Sequence, residues 1–508
     1  MVGKGSKTRF LASGALAFAC VSAWVFPSAT VVSAQAAGFP AFCLKNLRTI
    51  EEAGAASEKA DPPRFAAYRK DTKESLDRMR NPATGLVRDK ILVADGIGGP
   101  TTAKILNPNT SATNIGLDLL NQLAALENPE TAKLARKNLG LVLTSLEAMK
   151  FHRESGLFFS WYSTEKGLRA VVKDVSSVDN VHLALALWTI RKTLPGTALA
   201  RRAGKLFERM DFSVFFDAPE SLLWGNLKYA GGKWTPEAYH FSNFGSEART
   251  IYALAAGLGL IKKSSDPAFA EKAIAALTME SYVWRDGEKL RPILRTWDGG
   301  AFQLLLPKLL LNEEVYSEEL AKGFANYADY VLSEGERLHY PVPAAFSASN
   351  FGIDGSMRFG EVPSYVGRSG SLDLVSTAHV EAKNPEDRAL WSSCFTPHAA
   401  ILASTAAPGK FAETLRKMET LGQGGERLYV PGYGFMDGYH VTGPYAGKVV
   451  PVVLSLDQGM IALSLAQVKA ADGFGPSGRA LWNDPIVRER LRAFYRLVDE
   501  KLRRTHAP

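Results

Sequence analysis

Apolar residues recur at a helical spacing along most of the chain. Between Pro129 and Met149, for example, Leu139, Val142 and Leu146 fall on one face of a helix. This period of about 3.6 residues is that of an amphipathic helix. From Ser111 onward such segments are almost continuous, so the sequence predicts a largely helical protein. The predicted helices are 64–80, 111–125, 129–149, 177–192, 197–210, 243–260, 267–278, 298–311, 315–334, 390–404, 409–421, 454–468 and 484–503.

The segments between these helices are of two kinds, short turns and long irregular loops. Residues 86–95 predict a short strand or extended segment, 96–109 a loop, 211–241 an irregular aromatic stretch and 337–385 a loop-rich region. The helices come in consecutive pairs, with the long loops after alternate members. We therefore predict an all-α fold, a toroid of paired helices with long aromatic loops at one rim. An open array of helices is the alternative.

The N-terminus has the pattern of a secretory signal peptide. Lys4, Lys7 and Arg9 precede an apolar run over 10–25, and small residues end in Ala34-Gln35-Ala36. A charged start, an apolar middle and an A-x-A end are typical of such signals. A retained membrane anchor is the alternative, because the whole apolar stretch is long enough to span a bilayer with help.

These features divide the chain into a signal peptide at 1–36, an N-terminal helical segment at 37–80 and a main domain at 81–508. We expect a periplasmic or secreted protein. No later stretch is apolar enough to span a membrane, so no stable membrane insertion is expected after cleavage.

Composition and charge narrow the class of partner. The chain is 46% hydrophobic and 22% charged, which is ordinary for a soluble globular protein. Its net charge is +8, of which the signal supplies +3 with no acids, leaving +5. That excess is thinly spread, so nucleic acid is not expected as a partner, whereas a neutral or mildly anionic polysaccharide is compatible. The oligomeric state is open.

Neither the cysteines nor the histidines predict a metal or cofactor site. After signal removal Cys43 and Cys394 remain, and either a disulfide or two buried thiols is consistent with the sequence. The eight histidines are isolated, and no zinc-ligand spacing occurs. No nucleophile elbow or phosphate-binding loop is present. The sequence therefore predicts no metal and no cofactor.

Rings surround several acids in the irregular loops. Tyr239 and His240 lie shortly before Glu247, and Trp297 precedes Asp298 at a predicted helix start. Aromatic rings stack on pyranose faces, and carboxyl groups protonate a glycosidic oxygen or activate water. The loops therefore indicate a carbohydrate-cleaving site.

Most of these acids also have a structural interpretation. Glu247 and Asp179 could be first-turn acids favoured by the helix dipole, and Asp298 could be an N-cap. Asp457 opens an apolar helix, so a cap and a site residue are both open. Asp437 instead lies in a loop of rings and glycines, which favours a functional role.

Seven motifs occur in one order over roughly residues 80 to 470. They are SATNIGL at 111–117, GLFFSWY at 156–162, VSSVDN at 175–180, SEAR at 246–249, WDGGAF at 297–302, YGFMD at 433–437 and LDQG at 456–459. This series resembles the glycoamylase-like superfamily of glycoside hydrolases, which includes endo-β-1,2-glucanases and the C-terminal domain of cyclic β-1,2-glucan synthases. The resemblance implies an (α/α)6 toroid.

The resemblance also implies roles for particular residues. It makes Glu247 the general acid, Asp437 the candidate base and Asp179 an acid on the cleft floor. The predicted substrate-binding residues are Trp161, Tyr162, Tyr239, His240, Trp297, Asp298, Phe302, Tyr433, Tyr439 and Asp457.

One departure from the family pattern affects the mechanism. Cyclic glucan synthases carry a second glutamate in a Ser-Glu-Ser motif, and here the counterpart is Ser347-Ala348-Ser349. This argues against a retaining transglycosylase and favours an inverting hydrolase of a β-glucan such as β-1,2-glucan. A catalytically silent glycan-binding protein is one alternative. A polysaccharide lyase that uses Tyr239 or His240 as its base is the other.

Overall fold

A computed structural model of the chain describes residues 62–94, 101–262, 268–296, 300–347, 349–350, 359–360, 364–368, 371–375, 394–407, 411–422, 427–470 and 472–506. All of them belong to one compact unit, Ala41–Pro508. The predicted signal peptide and four residues named above, Cys43, Trp297, Asp298 and Ala348, lie outside the described residues.

Helices dominate the described part of the chain. They are α1 Pro62–Met79, α2 Ala112–Ala125, α3 Pro129–Ala148, α4 Ser177–Thr193, α5 Ala198–Arg209, α6 Arg249–Leu258, α7 Phe269–Ala276, α8 Ala301–Leu311, α9 Glu318–Arg337, α10 Pro397–Ala406, α11 Phe411–Glu419, α12 Ser455–Lys469, α13 Pro476–Asn483 and α14 Pro485–His506. The prediction of a largely helical protein is confirmed.

Six of these helices pack side by side in sequence order. Helix α2 contacts α4, α4 contacts α6, α6 contacts α8, α8 contacts α10, α10 contacts α12, and α12 contacts α2. Outer helices cover them: α3 packs on α2, α5 on α4, α14 on α6, α9 and α11 on α10, and α1 on α12. The short helix α13 contacts α2, α4 and α8.

The sequences of the two groups explain their positions. Helix α2 buries twelve of its fourteen residues and α8 buries ten of its eleven. Apolar side chains occur all round α8, whereas α2 buries polar residues as well, namely Thr113, Asn114, Asp118, Asn121 and Gln122. The outer helix α3 buries only seven of its twenty residues, which form one apolar stripe. A helix that is apolar all round requires burial on every side, whereas an amphipathic helix needs only one covered face. Within the described residues, no helix combines the length and the apolarity needed to cross a membrane.

Short antiparallel sheets fill the loops between helices. The strands are β1 Lys90–Ala94, β2 Thr102–Asn107, β3 Asn109–Ser111, β4 Trp161–Ser163, β5 Ala170–Val172, β6 Val175–Ser176, β7 Phe216–Asp217, β8 Leu222–Leu223, β9 Asn226–Ala230, β10 Lys233–Pro236, β11 Ser281–Asp286, β12 Lys289–Leu294, β13 Ser349–Asn350, β14 Phe359–Gly360, β15 Ser364–Arg368, β16 Ser371–Val375, β17 Cys394–Phe395, β18 Tyr429–Val430, β19 Gly434–Phe435, β20 Gly438–His440, β21 Val449–Val450 and β22 Val452–Leu454.

These strands form sheets of two or three. The three-stranded sheets have the orders β2-β1-β22, β10-β9-β6, β3-β4-β5 and β17-β20-β21, and the pairs are β7-β8, β11-β12, β13-β14, β15-β16 and β18-β19. Strand β1 confirms the extended segment predicted over 86–95. The expected loop over 96–109 was wrong in part, because β2 pairs with β1 along its length.

The helix predicted over 243–260 begins later than expected. The Asn243 side chain does not cap it but accepts a hydrogen bond from the Gly245 N–H at 2.7 Å, which forms a local turn. Helix α6 starts at Arg249, and no side chain caps it. Glu247 therefore lies in the turn before the helix rather than in its first turn. Helix α13 was not predicted.

A fully buried ion pair joins this helix start to the C-terminal end of α8. Arg249 and Glu313 both have side chains that are 0% exposed, with Nη2 2.6 Å from Oε2. Arg249 Nη1 also donates to the Gln303 carbonyl at 2.9 Å, and the Tyr495 hydroxyl donates to Glu313 Oε1 at 3.0 Å. Such a pair is strongly destabilising to break, since removal of one partner leaves the other charge buried.

We expect Glu313→Gln to lower the free energy of unfolding by about 3–5 kcal/mol, because the Arg249 guanidinium loses its buried counter-charge. Urea denaturation followed by circular dichroism measures this change.

Lys322→Met is the matched control, since Lys322 forms an exposed pair with Glu318 at 2.9 Å. That variant should change the same free energy by less than about 1 kcal/mol. Equal effects of the two substitutions would contradict the structural importance of the Arg249–Glu313 pair.

Candidate active site

The loop that carries Asp437 lies against the start of α12. Gln458, in the first turn of that helix, donates to the Phe435 carbonyl at 2.6 Å. The Asp437 N–H bonds the Val452 carbonyl at 2.8 Å. Gly438 follows, and a Cβ there would lie 2.4 Å from Cys394 Sγ, so only glycine fits. The sequence thus fixes the backbone on both sides of Asp437.

Three buried side chains meet at this point: Asp437, Asp457 and His398. Their exposed fractions are 3%, 3% and 1%. His398 Nδ1 lies 3.3 Å from Asp457 Oδ2, and the carboxyl groups of Asp457 and Asp437 are in hydrogen-bond contact. The donor atoms of all three lie within 4.8 Å of one another. We call these three residues the His398 cluster.

Burial sets the charges of this cluster. It raises the pKa of Asp457 to about 6, while the hydrogen bond with Asp437 and the charge of Lys90 lower it and Asp89 raises it. Burial also lowers the pKa of His398 to about 4, against the charge of Asp437. His398 is therefore neutral near pH 7, and the negative charge belongs to the carboxyl groups.

Asp89 connects the His398 cluster to α2. Its carbonyl accepts from the Ser455 N–H at 2.9 Å, at the start of α12. Its carboxylate accepts from Asn107 Nδ2 at 3.0 Å and from Asn114 Nδ2 at 3.2 Å, in the first turn of α2. Burial raises the pKa of Asp89, and Lys90 opposes that shift.

Asp179 lies in a second acid–histidine arrangement. Thr113, next to Asn114, donates its hydroxyl to Asp179 Oδ1 at 2.6 Å, and its Oγ1 lies 3.1 Å from His182 Nδ1. Ser176 caps α4 by accepting from the Asp179 N–H. Burial raises the pKa of Asp179 and lowers that of His182 to about 4.

A series of contacts also connects Asp179 to Glu247. Ser176 pairs with Asn226 across β6 and β9, and Asn226 Nδ2 lies 3.0 Å from the Tyr239 hydroxyl. The pKa of Tyr239 is raised first by burial, then by Glu237, and also by the charge of Glu247. Tyr239 and Glu247 therefore interact electrostatically.

The turn that carries Glu247 is held tightly. A Cβ on Gly245 would lie 1.8 Å from the Arg295 carbonyl oxygen, so this backbone approach requires glycine. The Phe244 N–H bonds the Thr278 carbonyl at 3.0 Å. Glu247 itself is partly exposed, whereas Ser246 before it and Arg249 two positions after it are buried.

The starts of α8 and α10 belong to the same end of the six-helix group. The Phe302 N–H donates to Ser347 Oγ at 3.2 Å, and Ala301 N–H to the Phe346 carbonyl at 3.1 Å. The Thr396 N–H, just before α10, bonds the Ala345 carbonyl at 3.4 Å. Hydrogen bonds and charge contacts thus connect all six helix starts, and the predicted acids Asp179, Glu247, Asp437 and Asp457 all lie there.

Three of the predicted ring contacts are buried. Tyr162 is 0% exposed, accepts from the Phe159 N–H at 2.8 Å and donates to the Lys150 carbonyl. Its assignment as a stacking residue was wrong, because a sugar cannot reach a ring in the core. Tyr433 and Tyr439 are 7% and 8% exposed. The guanidinium of Arg78 lies 4.8 Å from the Tyr433 ring, so that ring supports the Asp437 loop.

The other predicted contacts are more open. Trp161 and Phe302 are half-buried, and Tyr239 is 44% exposed. His240 stacks on Trp224 with ring centroids 3.6 Å apart, and its Nε2 lies 2.9 Å from Asp217.

Sequence reasoning missed several polar residues. His398 and Asp89 were not singled out, although each lies next to a helix or strand start. Asp457, which was predicted to contact the substrate, is 3% exposed. It contacts Asp437. The His398 cluster is compact enough to share a proton or to enclose a small cation.

Comparison with known proteins finds a match in structure only. No family model matches the sequence, and no curated protein does. A candidate glucoamylase from Bacteroides fragilis has a TM-score of 0.59 at 15% identity, with 85% of this chain and 96% of that chain covered. The endo-β-1,2-glucanase from Chitinophaga pinensis, solved with sophorotriose and glucose, gives 0.59 at 14% identity, covering 85% and 97%.

The endo-β-1,2-glucanase from Talaromyces funiculosus, solved with sophorose, has a TM-score of 0.64 at 12% identity, covering 88% of this chain and 90% of that chain. These structures have glucoamylase-like (α/α)6 folds. At 12–15% identity the likeness to these structures is one of fold.

We expect Gly438→Ala to lower stability by about 1–3 kcal/mol, because the added methyl overlaps Cys394 Sγ and displaces the Asp437 loop. The double variant with Cys394→Ala should recover most of that loss, which urea denaturation measures as a double-mutant cycle.

Gly140→Ala is the control, since an added Cβ meets no atom within 4 Å there. A Gly438→Ala protein as stable as this control would show that the loop does not need glycine.

Proposed function

We propose that the chain is a glycoside hydrolase that cleaves a β-glucan, and that its six central helices are the inner ring of an (α/α)6 toroid. The observation that carries this proposal is the connected set of acids at the starts of those helices. Helix starts are electropositive, which suits carboxylates and stabilises developing negative charge. The sequential packing that returns from α12 to α2 supports closure of the ring.

We assign the general-acid role to Glu247 and the base role to Asp437. Glu247 is partly exposed on a rigid turn beside Tyr239, where its proton can reach a glycosidic oxygen. Asp437 lies in the glycine-bounded loop and is 3% exposed, so it accepts the proton directly or through a chain of hydrogen bonds from the water that attacks the anomeric carbon. The glycosidic bond breaks as the new bond to water oxygen forms, so the configuration inverts.

β-1,2-Glucan is the first substrate to test. Two of the similar structures are endo-β-1,2-glucanases solved with sophorose or sophorotriose, and a variant of the Talaromyces protein was solved with β-1,2-glucan. At 12–15% identity the likeness carries the fold alone. We therefore propose the β-1,2 linkage for this chain as a hypothesis to be tested.

Exposed rings favour a polymeric substrate. Tyr239 and Tyr229 are 44% and 55% exposed. Tyr229 packs on Trp234 at 5.1 Å, and Trp234 stacks on Phe159 at 5.9 Å and 11°. Such a supported aromatic surface suits the apolar faces of pyranoses. We propose that these rings form the aromatic rim, and that the signal peptide directs the protein to the periplasm or outside the cell.

We expect Glu247→Gln to lower kcat/KM on the cleaved glucan by at least ~100-fold, because the amide cannot donate the proton that the leaving oxygen needs. Reducing-end release by the purified mature protein measures this, and the circular dichroism spectrum should be unchanged.

Glu271→Gln is the control, since Glu271 lies exposed on α7. That variant should retain wild-type turnover. Turnover retained in the Glu247→Gln protein would remove Glu247 from the mechanism.

A glycan panel tests the substrate class. We expect cleavage of linear β-1,2-glucan, with an α-anomer as the first product in proton NMR because the reaction inverts. Binding without any cleavage would instead support the silent glycan-binding alternative. Products that absorb in the near ultraviolet would indicate a lyase.

A further inference from the structure

The contact between Asp437 and Asp457 requires a hydrogen. Ionised carboxylates are acceptors only, so two of them cannot hydrogen-bond to each other. Both side chains are buried, with exposed fractions of 3% each, and one carboxyl oxygen of each lies within 4.8 Å of the other, close enough for the side-chain contact that lowers the pKa of Asp457. Like charges this close cannot both ionise at low cost. One proton shared by the two carboxyl groups satisfies both conditions.

The surroundings leave the pair with a net negative charge. The titratable and charged groups that face Asp457 are Asp437 from its loop, His398 from α10, and Asp89 and Lys90 at the start of β1. Lys90 Nζ lies 3.8 Å from Asp89, so the Lys90 charge is divided between two acids. His398 is neutral, and its Nδ1 lies 3.3 Å from Asp457 Oδ2.

From this geometry we infer that Asp457 is a positioning residue that shares one proton with Asp437 and fixes the Asp437 carboxyl for its role as base, with His398 holding Asp457 in place. The inference rests on the proposed function, which it deepens by assigning a role to two buried residues.

The shared proton has a direct consequence for the reaction. The pair holds one proton before the step and two after it, because the attacking water transfers one proton to Asp437. Glu247 loses one proton to the leaving oxygen, and exchange with solvent restores both groups. Since the first proton lies between the two carboxyl groups, the proton from water goes to the other oxygen of Asp437.

We expect Asp457→Asn to lower kcat by about tenfold to a hundredfold, less than loss of the base itself, with KM within about threefold. The acidic limb of the kcat/KM–pH profile should move to higher pH, because the ionised Asp437 loses the shared proton that stabilises its negative charge. A loss of activity without movement of that limb would reduce Asp457 to a structural residue.

Infrared difference spectra over mildly acidic to neutral pH test the shared proton without relying on activity. The wild-type protein should show the carbonyl stretch of a protonated carboxyl that Asp457→Asn removes. Absence of that signal in the wild type overturns the inference whether or not the protein cleaves glucan. Its presence in a protein that cleaves nothing overturns the proposed function and leaves the shared proton in place.

Two controls complete the experiment. Asp499→Asn removes a buried carboxylate on α14 that accepts from Ser317 at the start of α9 and is not part of this cluster, so it should leave the pH limb unchanged. His398→Asn should reduce kcat in the wild type but not in the Asp457→Asn background, because His398 acts through Asp457. Stoichiometric metal found by elemental analysis would overturn proton sharing, since a cation would then supply the counter-charge.

Discussion

Every α-helix leaves its first backbone N–H groups without partners inside the helix, and this chain brings six such ends together. Side chains cap only two of these ends, where Ser111 accepts from Asn114 and Ser176 from Asp179. The starts of α6, α8, α10 and α12 have no side-chain cap. Backbone and hydroxyl acceptors satisfy part of the need, as Asp89 does for Ser455. The remaining partial positive charge offsets some of the cost of burying carboxyl groups at this end. The position of the acids therefore follows from the way the helices pack.

A candidate catalytic group must also be held still, and the buried pair of Arg249 and Glu313 supplies that rigidity. Arg249 is the first residue of α6 and lies two positions after Glu247. Its guanidinium is bonded to Glu313 and to the carbonyls of α8, so the turn before it cannot rotate independently of the core. The partly exposed Glu247 is thereby presented on a fixed backbone, which lowers the reorganisation needed to reach a reactive geometry. The buried pair that stabilises the fold therefore also positions the proposed general acid.

Sequence patterns predicted the helices well because a helix that is buried on one face has apolar residues at a regular spacing. The cap at Ser111 and the acids in the motifs were also accessible, since caps and short motifs are local. The incorrect or missing predictions concern features that depend on how distant parts of the chain pack together. An aromatic residue in a loop looks the same whether it meets a ligand or the core, which is why Tyr162 was misassigned. The start of α6 was missed because the side chain of Asn243 bonds Gly245 instead of capping a helix. His398 is far from Asp457 along the chain, and only the packing of α10 on α12 makes them neighbours.

Two arrangements at this end of the molecule share one design, a neutral buried histidine behind an acid. His182 reaches Asp179 through the Thr113 hydroxyl, so that acid accepts a hydrogen bond from a neutral group. His398 lies directly against Asp457, which contacts a second carboxyl. In both, burial disfavours charge on the imidazole and on the acid. The histidine is therefore neutral and does not form an ion pair with the acid. Glu247 is partly exposed in the turn before α6, whereas Asp437 and Asp457 are buried. Environments that separate acids in this way are what an acid–base mechanism requires, since one carboxyl must give a proton while another takes one.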